Sequence, residues 1–170
     1  MNISRAVDFD GNGKTVTFSN TGRRANVVIT ADGTHIHDIT IENTADNEEW
    51  TGTYCLQLYN GTYFIENVKA TGGNAGIIVN GSTVTVGEGV DVSGNAFGGI
   101  EVSKGANEGL SDALLIVNSK ITNTTEAYGK PTVWTDGEGA SVTDNTGMFT
   151  NDAVKEGQVQ YYLEESNSTE

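Results

Sequence analysis

The chain repeats one short structural plan with a period in the low twenties. Between Tyr54 and Val102, a short apolar segment, a Gly or Asn corner, a second apolar segment and a second corner recur three times. Leu56, Ile77 and Ile100 occupy equivalent positions and are separated by 21 and 23 residues. Self-similarity at such a period is typical of a solenoid, in which each repeat adds one coil. The sequence therefore constrains the shape of the molecule more than its chemistry.

The predicted strands are about four to six residues long, too short for an isolated pair to fold. Parallel stacking of the coils solves this problem, because equivalent apolar residues then lie about 4.8 Å apart within one continuous core. The corners need left-handed or open backbone, which Gly and Asn adopt at low cost. We expect three inward columns of aliphatic residues: Leu56, Ile77 and Ile100; Leu58, Val79 and Val102; and Val68, Val90 and Ile121.

The length of 170 residues suits one domain, which we place over residues 1–163. A turn-rich cap is expected near residues 1–14 and a closing strand near residues 159–163. Residues 164–170 are expected to form a linker or a disordered tail.

Two polar stretches interrupt the repeats, at residues 43–53 and 104–112. Solenoids tolerate insertions at fixed places in the coil, so we expect both stretches to be loops that leave the cross-section. Helical signals are nearly absent, and the best candidate is the short segment 152–157.

The composition is strongly acidic, with 23 Asp and Glu residues against 9 Lys and Arg residues and a formal net charge of −14. This charge repels nucleic acid and anionic bilayers, so neither is expected as a partner. An anionic polysaccharide would need calcium to bridge the two surfaces. No apolar run approaches the roughly 18 residues of a membrane-spanning helix, so membrane insertion is not expected.

Three stretches, GGIEVSKG, AGIIVNGSTVTV and DGNGKTVTF, resemble the right-handed parallel β-helix superfamily. They are most similar to the pectate-lyase-type repeats of large surface proteins in Gram-positive bacteria, and the resemblance covers about residues 8–145. It implies an all-β fold, a right-handed parallel β-helix (β-solenoid) of about six coils. The N-terminus has no signal peptide, so the protein is either cytosolic or a domain excised from a longer chain. The resemblance favours the second, so we expect an extracellular or cell-surface domain from a larger secreted bacterial protein. The superfamily includes polysaccharide lyases, polygalacturonases, phage tailspikes and non-catalytic adhesins, so the fold leaves the activity open.

Strand alternation predicts which side chains form the outer wall. If Leu56 and Leu58 point inward, then Cys55, Gln57 and Tyr59 point outward. The matching outward positions on later coils are Ile78, Asn80, Glu101, Ser103, either Val133 or Trp134, and Asp136. Enzymes of the superfamily carry their sites on this wall. The candidate ligand-binding residues are Gln57, Tyr59, Asn80 and Trp134.

An enzyme with Glu101 and Asp136 as its catalytic carboxylates is the alternative. Glycoside hydrolysis needs an acid and a second carboxylate about 5–10 Å apart, a separation that coils two apart would give. The superfamily's hydrolase signature, clustered aspartates with His-Gly and Arg-x-Lys, is missing. The basic residue that the lyases carry on this wall is also expected to be missing, since after Arg5 the arginines occur only at Arg23 and Arg24.

The segment DFDGNG matches the first half of an EF-hand loop, with Asp8, Asp10 and Asn12 as candidate calcium ligands. The acidic residue expected at the twelfth position is Ser19, and no helix follows. A tight turn into the first strand is the alternative interpretation.

His35 and His37 are predicted to share one face of a strand. A metal would need a third ligand, for which Asp32 or a group on the next coil could serve. Cys55 is expected to be partly exposed but inert, because no neighbour in sequence would lower its pKa.

These patterns favour a non-enzymatic cell-surface or secreted module for adhesion, for glycan or protein binding, or for rigid presentation of loops. The expected partner is a polysaccharide or a protein on a host or cell surface. A carbohydrate-active enzyme, either a polysaccharide lyase or a glycoside hydrolase, is the second hypothesis. A spacer without any ligand is the third.

Overall fold

The computed structural model describes residues 1–47, 52–105, 109–124 and 130–164. Across these ranges the chain forms a β-solenoid of about five turns with parallel stacked coils and no helix. The predicted all-β parallel solenoid is confirmed, with about one coil fewer than expected. Within the same ranges, no helix is long and apolar enough to cross a bilayer.

Two long parallel sheets form the walls of the solenoid. Wall A consists of β1 (Asn2–Ile3), β3 (Arg24–Ile29), β5 (Thr53–Tyr59), β7 (Ala75–Asn80), β10 (Gly98–Ser103) and β13 (Val133–Thr135). Wall B consists of β2 (Asp8–Phe18), β4 (His35–Asn43), β6 (Thr62–Thr71), β8 (Thr83–Val86), β9 (Val90–Asp91), β11 (Ala113–Val117), β12 (Ile121–Thr122) and β14 (Ala140–Asp144). Each coil contributes one strand to wall A and then one or two to wall B.

The C-terminal end of the stack is closed by an antiparallel hairpin of β15 (Phe149–Lys155) and β16 (Gln158–Leu163). Strand β16 pairs antiparallel with β13 and so covers the last edge of wall A. Residues 152–157, the best candidate for a helix in the sequence, form none, because residues 152–155 pair with β16 and residues 156–157 form the turn of the hairpin. The tail beyond residue 164 and the centres of the two predicted loops, 48–51 and 106–108, lie outside the described residues.

The predicted inward columns are confirmed. Leu56 pairs in register with Ile77, and Ile77 with Ile100, and all three side chains are fully buried. The first column extends at its two ends to Val27 and Val133. The residues of the other two columns are also fully buried, so the core runs without a break along the axis.

Cys55 departs from the predicted alternation. It was expected on the outer face, but its side chain is fully buried next to Leu56, which is also buried. Its Sγ donates a hydrogen bond to the carbonyl oxygen of Thr71 at 3.2 Å, where the chain turns toward Gly73. The strict two-residue alternation holds only where a strand is regular, and here the strand leaves a corner.

One corner of the solenoid is a column of left-handed residues. Gly13, Asp38, Asn67 and Gly89 have φ values of 67°, 53°, 49° and 73°, and the strand register places them on successive coils. A Cβ atom on Gly89 would lie 2.1 Å from Oδ1 of Asn67, so only glycine fits there. The column explains the break in the apolar pattern of β4 at Asp38, and it confirms that Gly and Asn form corners.

Candidate functional site

The outer face of wall A carries an open cleft of about 640 Å³. Its floor is built from outward positions of successive strands, since Gln57, Ile78 and Glu101 are paired in register, as are Asn80 and Ser103. The cleft is lined by four of the predicted site residues, Gln57, Asn80, Glu101 and Asp136.

Glu101 is held by Tyr54 at one side of the cleft. The Tyr54 hydroxyl group donates a hydrogen bond of 2.5 Å to Oε2 of Glu101. Burial raises the pKa of Glu101 to about 6; the Tyr54 hydrogen bond and the charge of Arg23 oppose this rise, and the charge of Asp136 adds to it. Burial also raises the pKa of Tyr54, which therefore remains a hydrogen-bond donor. Glu101 thus exchanges a proton close to neutral pH.

Asp136 is the second carboxylate of the cleft. Its backbone N–H donates to the carbonyl oxygen of Val102 at 2.9 Å, and its Oδ1 accepts a hydrogen bond of 2.6 Å from Nε2 of Gln158. Its register places it on the coil next to Glu101 and two residues farther along the strand, so strand geometry gives a Cα separation of roughly 8 Å. Neighbouring coils, rather than coils two apart, therefore bring the two carboxylates together.

Two arginines also line the cleft, contrary to the sequence prediction. Arg23 is the residue just before β3, and Arg24 is the first residue of β3 and pairs in register with Thr53 at the start of β5. The end of the connection and the start of the strand thus bring basic side chains to the wall that was expected to lack them. Arg23 lies close enough to Glu101 to lower its pKa. Alignment of RANVVI with TYCLQL would have placed Arg24 at the start of this wall, whereas Arg23 lies outside the aligned segment.

Trp134 lies on the outer wall, in register with Glu101, whereas Val133 points into the core. Its ring is only 7% exposed and packs edge-on against Phe97, with ring centroids 4.8 Å apart. It borders a smaller cavity of about 160 Å³ that also touches Tyr54 and Glu101. Trp134 therefore supports the cleft from one end rather than offering an open ring face. Tyr59 is half-buried on the same wall but does not line either cavity.

The predicted calcium ligands lie on the outer face of wall B. Asp10 accepts a hydrogen bond of 2.6 Å from the backbone N–H of Asn12, whose left-handed backbone forms the tight turn. Asp8 instead faces two imidazole rings, with Oδ1 at 3.2 Å from His35 Nδ1 and 3.0 Å from His37 Nε2. The calcium site stays a prediction, and the groups that surround Asp8 include nitrogen as well as oxygen.

Asp32, the third metal ligand considered from the sequence, lies elsewhere. Its Oδ1 accepts a hydrogen bond of 2.7 Å from the backbone N–H of Thr62, so Asp32 is part of a corner of the solenoid. The acidic groups next to the histidines come instead from Asp38 on the same strand and from the flanking coils, Asp8 before them and Glu66 after them. Asp8 pairs in register with His35, and the register of these strands shifts between Asp10 and Lys14, so strand alternation alone does not predict this pairing.

The described part of the chain therefore offers two groups of functional side chains, one on each wall. The cleft of wall A combines amides, hydroxyl groups, carboxylates and guanidinium groups on a rigid sheet. The outer face of wall B combines both histidines of the chain with carboxylates. No protein-family model, curated protein or solved structure matches this chain.

Proposed function

We propose that this protein is a non-enzymatic β-solenoid module that binds a glycan chain in the cleft of wall A. The observation that carries the proposal is the alignment of hydrogen-bonding side chains from successive coils, Gln57, Asn80 and Ser103, along one open cleft. Sugar hydroxyl groups both donate and accept hydrogen bonds, and amide and hydroxyl side chains complement both roles. Stacked strands hold these groups at fixed spacing, so little conformational entropy is lost on binding.

The charge of the cleft favours a neutral glycan. Glu101, Asp136 and Glu138 line it together with Arg23 and Arg24, so carboxylates outnumber guanidinium groups. The net charge of −14 adds a long-range repulsion against acidic polymers. A uronate polymer would therefore need a bridging cation, whereas a neutral chain would not.

Binding can be tested on a glycan array and then by calorimetry with the oligosaccharides retained. Each of Gln57→Ala and Asn80→Ala should weaken binding by about 5- to 10-fold, because each removes roughly one net hydrogen bond. Thr143→Ala, at an exposed position of β14 on wall B, is the matched control and should change nothing. Absence of glycan retention, or equal binding by all variants, would overturn the proposal.

A second candidate function, hydrolysis of a glycosidic bond, is favoured by the raised pKa of Glu101. A half-buried carboxyl group with a pKa of about 6 retains enough protonated form near neutral pH to act as a general acid. The exposed Asp136 on the neighbouring coil would be the second carboxylate. In this mechanism Glu101 gives its proton to the leaving oxygen as the glycosidic C–O bond breaks. Asp136 takes a proton from a water molecule whose oxygen bonds to the anomeric carbon on the opposite side of the sugar ring.

The two functions are separated by product formation. The protein would be incubated with neutral polysaccharides, and with uronate polymers in the presence and absence of calcium, and reducing ends or unsaturated products would be measured. A hydrolase loses turnover in Glu101→Gln and in Asp136→Asn while it keeps substrate binding. A binding module retains glycan and releases no product from the wild-type chain, and a spacer does neither.

We also propose that the module works at a cell surface or outside the cell, where glycans and surface proteins are its partners. The net charge of −14 and the pectate-lyase-type repeat pattern support this location. Sequencing of the full gene tests it, since a secretion signal or a wall anchor is the expected result. A neighbouring domain with a strictly cytosolic role would contradict it.

A further inference from the structure

Both histidines of the chain project from the outer face of wall B. His35 and His37 flank the fully buried Ile36 on β4, so strand alternation turns them to the same side. On β2, Asp8 pairs in register with His35 and Asp10 with His37, and on β6 Glu66 pairs with His37. Three successive coils thus bring carboxylates to both sides of two imidazole rings.

One carboxylate oxygen lies between the two rings. Oδ1 of Asp8 is 3.2 Å from Nδ1 of His35 and 3.0 Å from Nε2 of His37, and the rings are stacked with centroids 4.5 Å apart. A tetrahedral ion with bonds of 2.0–2.1 Å holds its ligand atoms about 3.3 Å from one another. We infer that Asp8, His35 and His37 bind a divalent transition-metal ion, for which Zn²⁺ is the best match, with a fourth position open to water.

The second nitrogen of each ring supports this inference, because each faces a further carboxylate. Nδ1 of His37 lies 2.7 Å from Oδ2 of Asp38, and Nε2 of His35 lies 3.0 Å from Oε1 of Glu66. Histidines that bind a metal almost always donate their other N–H group to a carboxylate or carbonyl oxygen, which fixes the tautomer and the ring orientation. Asp38 supplies this support for His37, and Glu66 lies at a distance from which it would supply it for His35 once the ring is fixed.

The ring of His35 is held in place by packing, but one of its nitrogen atoms lacks a hydrogen bond. Phe64 packs on it, with centroids 4.9 Å apart, and Nε2 is shielded from solvent. Although Glu66 is close, this nitrogen makes no well-aligned hydrogen bond. A metal bound at Nδ1 would fix the ring and leave Nε2–H to donate to Glu66, so binding completes an arrangement that is otherwise imperfect.

The donor set selects the class of metal. Calcium and magnesium prefer sites made of oxygen alone, whereas imidazole nitrogen suits Zn²⁺, Cu²⁺ and Ni²⁺. A second possible set, Asp10, Asp38 and the Nδ1 atom of His37, shares one ring with the first. It contains a single imidazole, and Asp10 Oδ1 lies 3.9 Å from Nδ1. The set with Asp8 is therefore favoured.

The experiment is a titration of the metal-free chain with Zn²⁺ by calorimetry and with Co²⁺ by visible absorption. We expect one ion per chain and the visible bands of tetrahedral Co²⁺. His35→Gln, His37→Gln and Asp8→Asn should each weaken binding by about 100-fold or more, since each removes a ligand. Glu66→Gln should weaken it by about 10- to 100-fold. Asp10→Asn and Asp112→Asn, the latter at an exposed position far along the chain, are controls that should bind normally.

Several results would overturn the inference. One is no Zn²⁺ binding by the wild-type chain. Another is uptake of several ions that the histidine variants do not reduce. A third is loss of binding in Asp10→Asn but not in Asp8→Asn. NMR of the wild-type chain provides a test that does not depend on whether the variants fold. Zn²⁺ should shift the ring resonances of both histidines, and the shifts should be complete at one ion per chain.

Discussion

The Tyr54 hydroxyl group reaches along wall A and donates a hydrogen bond to Glu101, which lies two coils farther on. Tyr54 pairs in register with Ala75, and Ala75 with Gly98, so small side chains leave room for the phenol ring. The carboxyl group is thereby buried together with a donor that favours its charged form. Burial raises the pKa of Glu101 to about 6, and this hydrogen bond keeps it from rising further.

Tyr54→Phe should raise the pKa of Glu101 above its value of about 6, because it removes a hydrogen bond that favours the carboxylate. Above this pKa the variant should also lose about 1–2 kcal/mol of unfolding free energy, the typical cost of a lost hydrogen bond to a charged group. NMR titration of the Glu101 side chain and urea unfolding measure the two effects. In a Glu101→Gln background, Tyr54→Phe should lower the unfolding free energy by less. An equal loss in both backgrounds would mean that Tyr54 and Glu101 are not coupled through this hydrogen bond.

The stability of the chain should carry a pH-dependent term from Glu101. Its pKa is about 6 in the folded chain and 4.5 for the unperturbed group, so the folded state binds the proton more tightly. The free energy of unfolding should therefore fall by about 2 kcal/mol as the pH rises through this interval, and then level off. Glu101→Gln removes this ionisable group, so the difference in unfolding free energy between wild type and variant isolates its contribution to the pH dependence. A difference that stays constant from pH 4 to about pH 8 would contradict the burial of Glu101.

The sequence was sufficient to predict which residues form the core, but not which side chains meet in the two candidate sites. Ile77 and its column could be predicted because equivalent residues of each coil face the same way in any stack. The position of Arg23 depends on the path of a connection, and the burial of Cys55 depends on a corner, so neither follows from alternation. His35 and His37 share the predicted face, but Asp8 meets them only through a register that changes at the bulge between Asp10 and Lys14.

Ile77→Asp should prevent folding. Ile77 is fully buried at the centre of its column, between Leu56 and Ile100, where an unpaired carboxylate costs several kcal/mol. Circular dichroism should show loss of the β signal. Gln57→Ala, on the outer face of the adjacent coil, is the control and should change the unfolding free energy by less than about 0.5 kcal/mol. Normal folding of Ile77→Asp would mean that the inward phase is wrong.

Asn95 ties two coils together from the inside, and its loss should destabilise the chain. Its Nδ2 donates to the carbonyl oxygens of Ala70 and Val92 at 2.9 and 2.8 Å, and its Oδ1 accepts from the Gly73 N–H at 3.0 Å. Asn95→Ala leaves these buried backbone groups unpaired, so we expect a loss of about 2–4 kcal/mol in urea unfolding. Asn118→Ala, at an exposed position, should cost less than about 0.5 kcal/mol, and an equal cost for both variants would refute the buried role.

Cys55 should be unreactive until the chain opens. Its side chain is fully buried, and burial raises the pKa of the thiol to about 12. Near pH 8 the sulfur is therefore out of reach of a reagent and is protonated, whereas the reactive form is the thiolate. An aromatic disulfide reagent should therefore label native protein at least about 1000-fold more slowly than the chain in guanidinium chloride, where one equivalent reacts. Fast labelling of the native chain would show that Cys55 lies on the outer face, as strand alternation predicts, and would contradict its burial.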